Sequence, residues 1–149
     1  MKIGIIGTSP RAERIERALR DAGHELIAGT PYDQVRTSEV IVIAVPWDKV
    51  DKTVVQMGRL GDTVIVDATE PPADADDLSG AEQLARKLNS PHVVEAFGGD
   101  AEPGDAIPVC ADDPGAKAVV MELIRSCGFE PTDAGPLANA GPLEKADVA

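Results

Sequence analysis

The residues from Gly7 to Ala12 are the first in the chain whose types and spacing could bind a ligand. They read Gly-Thr-Ser-Pro-Arg-Ala and lie between a short apolar run and an amphipathic stretch. A strand, a glycine-containing turn and a helix in this order are typical of dinucleotide binding, because the turn and the helix N-terminus present N–H groups to the pyrophosphate. The sequence therefore predicts a nucleotide-type turn at residues 7–12.

This turn departs from the dinucleotide fingerprint. Gly7 keeps the glycine of the tight turn, whereas Ser9 stands where a second glycine lets the backbone approach the pyrophosphate. Ala12 replaces the third glycine, and Pro10 removes one backbone N–H. Arg11 could supply a positive charge. Two interpretations stay open, which are a modified pyrophosphate site and a Rossmann fold that has lost its nucleotide.

The residues after the second predicted strand would select the cofactor, because an acid there holds a ribose hydroxyl and an arginine accepts a 2′-phosphate. Here Thr30 could bond to a phosphate or a ribose, and Tyr32 could stack on adenine. The nearest basic residue in sequence is Arg36. These residues alone therefore do not select NADP over NAD.

Hydride transfer needs few side chains, since the cofactor carries the chemistry and the protein positions it. The other contacts are expected at the carboxyl ends of the strands. Trp47, the only tryptophan, is either a wall of the cofactor site or a plug of the core. The predicted cofactor-binding residues are Gly7, Thr8, Ser9, Pro10, Arg11, Thr30, Tyr32, Val45, Pro46, Trp47, Thr69, Ala96, Phe97 and Gly98.

Asp67 and Glu70, near the end of the fourth predicted strand, are the side chains that could transfer a proton. Asp67 is better explained as a loop cap, so Glu70 is a candidate and no catalytic residue is assigned. His24 and His92 are expected at the opposite edge of the sheet, in structural or solvated roles. No His, Cys or Asp cluster has the spacing of a metal site, and none is predicted.

Short apolar runs alternate with amphipathic stretches, which predicts an α/β fold of the Rossmann type with a doubly wound, mostly parallel sheet. A single domain is expected over residues 1–136, followed by a loosely held tail over 137–149. Strands are predicted at 2–6, 25–29, 40–45, 63–68, 92–97, 106–110 and 129–133, and helices at 11–22, 49–57, 80–88 and 114–127.

Charge and apolar content argue against several kinds of partner. The 149 residues carry a formal net charge of −12, which disfavours nucleic acid and anionic membrane surfaces. No apolar run is long enough to span a bilayer, and no signal peptide precedes the first strand. We expect a small-molecule substrate and a cytoplasmic location. Cys110 and Cys127 lack metal or redox spacing and are expected to be buried thiols.

Several segments together resemble one family. The opening KIGIIGTSPRAERIERALRDAGHELIAGT resembles its first βαβ unit, AVPWDKV its Pro-aromatic turn, and VIVDATEPP a segment that usually reads D-x-T-N-P. SGAEQLA and HVVEAF are similar to its next helix and strand, and IPVCADD and DAGPLANA to its end. In this order, the motifs resemble the NADP oxidoreductases that use the deazaflavin coenzyme F-420.

The resemblance implies an NADP(H)-binding oxidoreductase of the deazaflavin-dependent type, shortened to its Rossmann domain, which transfers hydride between nicotinamide and a small acceptor. A homodimer is expected, because one domain offers half of a closed substrate pocket. Relatives continue past D-A-G-P-L into helices that complete the deazaflavin pocket, so the expected cofactor is NADP, or NAD, rather than coenzyme F-420. The alternatives are a degenerate non-redox Rossmann domain that binds another ligand or a protein partner, and a non-redox enzyme that uses Glu70 or Asp67 as acid or base.

Overall fold

One sheet organises the fold. The computed structural model describes residues 1–28, 35–71, 78–98 and 102–143, and these contain seven strands in that sheet. They are β1 (Lys2–Ile6), β2 (Glu25–Ala28), β3 (Val40–Ile43), β4 (Val64–Asp67), β5 (Val93–Glu95), β6 (Ala106–Ala111) and β7 (Glu130–Asp133). Their order is β2-β1-β3-β4-β5-β6-β7, and β1 to β5 are parallel to one another.

Helices cover both faces of the sheet. In the described part of the chain the α-helices are α1 (Pro10–Asp21), α2 (Val50–Met57), α3 (Gly80–Leu88) and α4 (Pro114–Ser126). Apolar residues of α1 and α4 pack on one face, and those of α2 and α3 pack on the other. Strands β1, β3 and β4 are buried between these layers, which explains their nearly continuous apolar sequences. The fold class predicted from the sequence is confirmed.

The parallel strands end at one level. Ile6 pairs with Ile43, Ile43 with Asp67, and Asp67 with Glu95. The loops that follow these strands therefore leave the sheet side by side, and we call residues 7–11, 44–47, 68–70 and 96–98 the carboxyl edge. The strand order reverses between β1 and β3, so the switch point of the sheet lies at this edge.

The last two strands run against the others, a direction that the sequence pattern did not predict. β6 is antiparallel to β5, and β7 is parallel to β6. Only residues 96–105 connect β5 to β6. A parallel crossover needs a dozen or more residues, usually including a helix, so this short connection can only return the chain in the opposite direction.

The expectation of a loosely held tail is wrong for residues 137–143. Leu137 and Ala140 are buried in the core on the face of α2 and α3. The N–H of Leu137 donates to Oδ1 of Asp112 at 2.9 Å, which fixes the start of this segment. Two apolar residues three positions apart gave too little periodicity to reveal the packing from the sequence.

The histidines and cysteines have structural surroundings. His24 and His92 lie at the opposite end of the sheet from the carboxyl edge, as predicted, with His24 Nε2 2.8 Å from Ser126 Oγ. Cys110 is buried, whereas Cys127 is only partly buried, and neither forms a disulfide. Burial raises the pKa of the Cys127 thiol, which favours its protonated form. Among the described residues, no helix is both long and apolar enough to cross a membrane.

A complete capping box begins α3 and provides a test of the fold. The N–H of Glu82 donates to Ser79 Oγ at 3.0 Å, and the N–H of Ser79 donates to Glu82 Oε1 at 2.9 Å. We expect Ser79→Ala to lower the free energy of unfolding by about 1 kcal/mol in urea denaturation. Ser79→Gly should cost less, because glycine is tolerated at an N-cap. Equal stability of Ser79→Ala and the wild type would show that the cap does not stabilise α3.

Candidate functional site

Gly7 joins β1 to α1 in a backbone conformation that favours glycine. Its φ is +136°, and a Cβ at this position would lie 2.4 Å from the carbonyl oxygen of Ala44. The end of β1 therefore passes directly against the end of β3, and a side chain would separate the two strands. The glycine of the predicted turn is needed for this packing whether or not a ligand binds.

Ser9 serves the helix rather than the open face of the turn. Its Oγ accepts a hydrogen bond from the N–H of Ala12 at 3.2 Å and donates to a carbonyl at the end of β3 at 3.1 Å. Pro10 occupies the first helical position, where its missing N–H costs no helical hydrogen bond. The candidate donors to an anion at this helix N-terminus are then the amides of Thr8, Ser9 and Arg11.

Arg11 points from α1 to the end of β4. Its Nη1 donates to the carbonyl oxygens of Ala68 at 3.3 Å and Thr69 at 3.5 Å, and its Nη2 lies 3.0 Å from Glu70 Oε1. The Arg11 side chain is 9% exposed, whereas that of Glu70 is 58% exposed. The carboxylate thus covers the solvent side of a buried guanidinium. The positive charge that the sequence offered to a phosphate already has an internal partner.

Glu70 is itself held in place by its backbone. It forms an isolated parallel bridge with Pro46, so the loops after β3 and β4 are joined at the carboxyl edge. This bridge fixes the base of the Glu70 side chain next to the turn at residues 7–11. Of the two acids named from the sequence, Glu70 is the one that faces solvent.

Asp67 caps the loop that follows β4, as predicted. Its Oδ1 accepts hydrogen bonds from the N–H of Thr69 at 2.8 Å and from the Thr69 hydroxyl at 2.6 Å. Burial raises the pKa of this carboxyl to about 6, against the opposing effects of the Thr69 hydrogen bonds and the Arg11 charge. Only 1% of Asp67 is exposed, so it orders the loop and does not reach a ligand.

The loop after β3 places Trp47 against the other face of the molecule. Val45 is buried and Pro46 makes the bridge to β4, while Trp47 is partly buried against the core of α2 and α3. A Cβ on Gly80 would lie 3.2 Å from Trp47 Cζ3 and 2.7 Å from Pro71 Cγ. The ring therefore packs closely on the start of α3, and this contact favours the interpretation of Trp47 as a plug of the core.

The loop after β5 turns its side chains inward. Ala96 and Phe97 are buried, and Phe97 has a φ of +60° and packs edge-on against Phe129 with ring centroids 6.5 Å apart. Gly98 borders a small cavity of about 50 Å³ between this loop and α1. Its lining consists of Arg11, Arg14, Ile15, Ala18, Phe97, Gly98, Ile107 and Phe129.

Sequence reasoning missed two charged residues near this edge. Arg14 lines the cavity, and its position three residues after Arg11 on a predicted helix was a usable signal, since such residues share a face. Glu95 is buried at the end of β5 and pairs in register with Asp67. The signal for Glu95 in the sequence was an acidic residue inside the otherwise apolar run HVVEAF. Thr30 and Tyr32, which were expected to contact the adenosine half, lie outside the described residues.

The parallel sheet, its switch point and the glycine turn before α1 define a Rossmann-type α/β domain. The family resemblance is also confirmed. Residues 2–71 match the family described as NADP oxidoreductase, coenzyme F-420-dependent. The matched segment spans β1 to β4 and the loops of the carboxyl edge between them.

Individual proteins are also similar to the chain. The chain is 26% identical to metalloreductase STEAP3 of Rattus norvegicus over 96% of its own length and 36% of that protein, so it spans about a third of this curated relative. A candidate F-420-dependent NADP-reductase from Arthrobacter sp. FB24 is 22% identical with a TM-score of 0.86, covering 97% of this chain and 89% of the other. A hypothetical protein from Sinorhizobium meliloti is 21% identical with a TM-score of 0.83, covering 97% of this chain and 90% of the other. At these identities the two structures show a shared fold.

Proposed function

We propose that this chain is an NADP(H)-binding oxidoreductase domain that takes part in hydride transfer between nicotinamide and a small acceptor. One observation carries the proposal. The segment that matches a family of NADP oxidoreductases, residues 2–71, is the one that forms the switch-point end of the sheet with its glycine turn. The names of the relatives, a metalloreductase and a candidate NADP-reductase, are consistent with a reductase.

The residues of the turn fit a dinucleotide in part. Gly7 brings the strand ends together, and the N-terminus of α1 points to the switch point, where a pyrophosphate is favoured by the helix dipole and free amides. Thr8 is exposed beside this N-terminus. We therefore place the pyrophosphate over residues 8–11, with the nicotinamide half toward the ends of β3 and β4.

A bound nicotinamide would supply the hydride, so the chain needs to bind it, orient it and exclude water. Thr69 and Glu70 follow β4 directly, and the Asp67 hydrogen bonds fix the backbone of Thr69. The ordered loop provides a rigid wall at the place where the ring would lie. The homodimer and the cytoplasmic location stay predictions, as does the choice of NADP over NAD.

A second candidate function is a degenerate Rossmann domain that binds another ligand or a protein partner. It is favoured by the Ser9 hydroxyl, which is committed to capping α1, and by Arg11, whose charge is balanced by Glu70. The third possibility, acid or base catalysis without redox chemistry, would have to use Glu70, because Asp67 is buried.

Calorimetric titration with NADPH and NADH tests the proposal, and Thr8→Glu locates the site. A carboxylate at Thr8 would face the pyrophosphate across the helix N-terminus, so we expect NADPH affinity to fall about tenfold or more. Thr37→Glu is the matched control. It makes the same charge change at an exposed position next to Lys2, at the opposite end of the sheet, and should leave affinity nearly unchanged.

The titration also separates the two candidate functions. Binding of neither cofactor at millimolar concentration by the folded wild-type protein would contradict the oxidoreductase proposal and support the degenerate domain. Equal losses in Thr8→Glu and Thr37→Glu would show that the affinity depends on net charge and not on this turn.

A further inference from the structure

We infer that Glu70 is a specificity-determining residue that favours the oxidised over the reduced form of the nicotinamide cofactor. The inference rests on the proposed function, since it concerns the same site. It comes from an arrangement that the proposed function does not use, which is an exposed carboxylate placed outside a buried guanidinium at the end of β4.

The topology places the nicotinamide half near Glu70. The end of β2 faces the adenosine ribose in folds of this type, and the pyrophosphate lies at the N-terminus of α1. β2 and β3 lie on opposite sides of β1, so the other half of the cofactor must extend toward β3 and β4. Adjacent strands are about 4.8 Å apart, which brings β4 within reach of the ring. Glu70 is joined to the loop after β3 by the bridge to Pro46.

The relative depth of the Arg11 guanidinium and the Glu70 carboxylate decides which of the two charges lies closer to the nicotinamide ring. Arg11 is 9% exposed and bonds to the carbonyl oxygens of Ala68 and Thr69, beneath the edge. Glu70, 58% exposed, lies on the solvent side of that guanidinium. A ligand at the carboxyl edge is therefore closer to the carboxylate than to the guanidinium. Among the described residues, Asp67 and Glu95 are buried at the strand ends, and Asp48, which follows the loop after β3, is exposed.

The two redox forms differ in the charge of the ring. The oxidised nicotinamide ring is a cation and the reduced ring is neutral, whereas the phosphates are the same in both forms. A carboxylate beside the ring attracts only the oxidised form, while its repulsion of the phosphates acts on both. The ratio of the two dissociation constants therefore isolates the effect of Glu70 on the ring from its effect on the phosphates.

Glu70→Gln tests this directly. We expect the ratio Kd(NADP⁺)/Kd(NADPH), measured by calorimetry, to rise about three- to tenfold, because the carboxylate is lost and Arg11 is left uncompensated. The absolute affinities of both forms should rise as well, since one negative charge near the phosphates is gone. Circular dichroism and the melting temperature establish that the variant is folded.

Two further variants control the comparison. Glu70→Asp keeps the negative charge, so the ratio Kd(NADP⁺)/Kd(NADPH) should stay closer to its wild-type value than in Glu70→Gln. Glu16→Gln makes the same change in net charge at a partly exposed residue of α1 that pairs with Arg20, and it should leave the ratio unchanged. An unchanged ratio in Glu70→Gln, with both affinities raised equally, would overturn the inference but not the proposed function. Absence of binding by the wild type contradicts the proposed function instead.

Discussion

Replacing Gly7 by alanine should lower the free energy of unfolding by about 2–4 kcal/mol, measured by urea or thermal denaturation. Two costs add at this position. The φ of +136° is unfavourable for any residue with a Cβ, and that Cβ would lie 2.4 Å from the Ala44 carbonyl oxygen and 2.7 Å from its carbonyl carbon. Both contacts are to backbone atoms of a buried strand, so relief requires β1 and β3 to separate.

Gly23→Ala is the matched control for this substitution. Gly23 also has a positive φ, +88°, but no atom lies within 4 Å of its would-be Cβ. The loss of stability in Gly23→Ala should therefore be only the cost of the backbone conformation, about 1 kcal/mol. A Gly7→Ala variant no less stable than Gly23→Ala would show that the close approach of the two strands does not require glycine at this position.

The fold was predictable because each level of the sequence agreed with it. The apolar runs gave the strands, and cap residues such as Asp113 and Ser79 gave the helix starts. The direction of each strand in the sheet was harder to predict, because the same apolar run fits a parallel or an antiparallel strand. The reversal at β6 follows from the length of the loop before it, a signal that composition does not carry.

The candidate site was predictable in its position but not in its contacts. Strand ends are countable from the sequence, so the carboxyl edge could be named residue by residue. Which side chain Arg11 meets depends on the spacing of α1 and β4 across the sheet, and no local pattern reports it. The same holds for Ser9, whose hydroxyl fits a phosphate contact and a helix cap equally well until the helix start is fixed.

The buried Asp67 predicts a second large effect, on the pH dependence of stability. Its pKa is about 6 in the folded state and near 3.8 when the chain is unfolded. Between these values the folded protein binds more protons than the unfolded protein, so the free energy of unfolding falls as pH rises. The rise in pKa corresponds to a loss of about 3 kcal/mol, which begins near pH 3 and is complete above about pH 7.

Asp67→Asn should remove this decline. Asparagine Oδ1 can still accept the two hydrogen bonds from Thr69, and the side chain no longer ionises. The variant's advantage over the wild type should therefore be larger by about 2.4 kcal/mol at pH 7.5 than at pH 4 in urea denaturation, because the unfolded carboxyl is already partly ionised at pH 4. Asp51→Asn, at an exposed carboxylate paired with Lys87, should show almost no such pH-dependent difference.

The opposite result has a definite meaning. If the difference between Asp67→Asn and the wild type is the same at pH 4 and pH 7.5, Asp67 does not exchange a proton on unfolding in this range. The hydrogen bonds from Thr69 and the charge of Arg11 would then stabilise the ionised carboxylate at least as strongly as burial opposes it. If the decline is present, the buried carboxyl that orders Thr69 and Glu70 at the carboxyl edge lowers the stability of the fold at neutral pH.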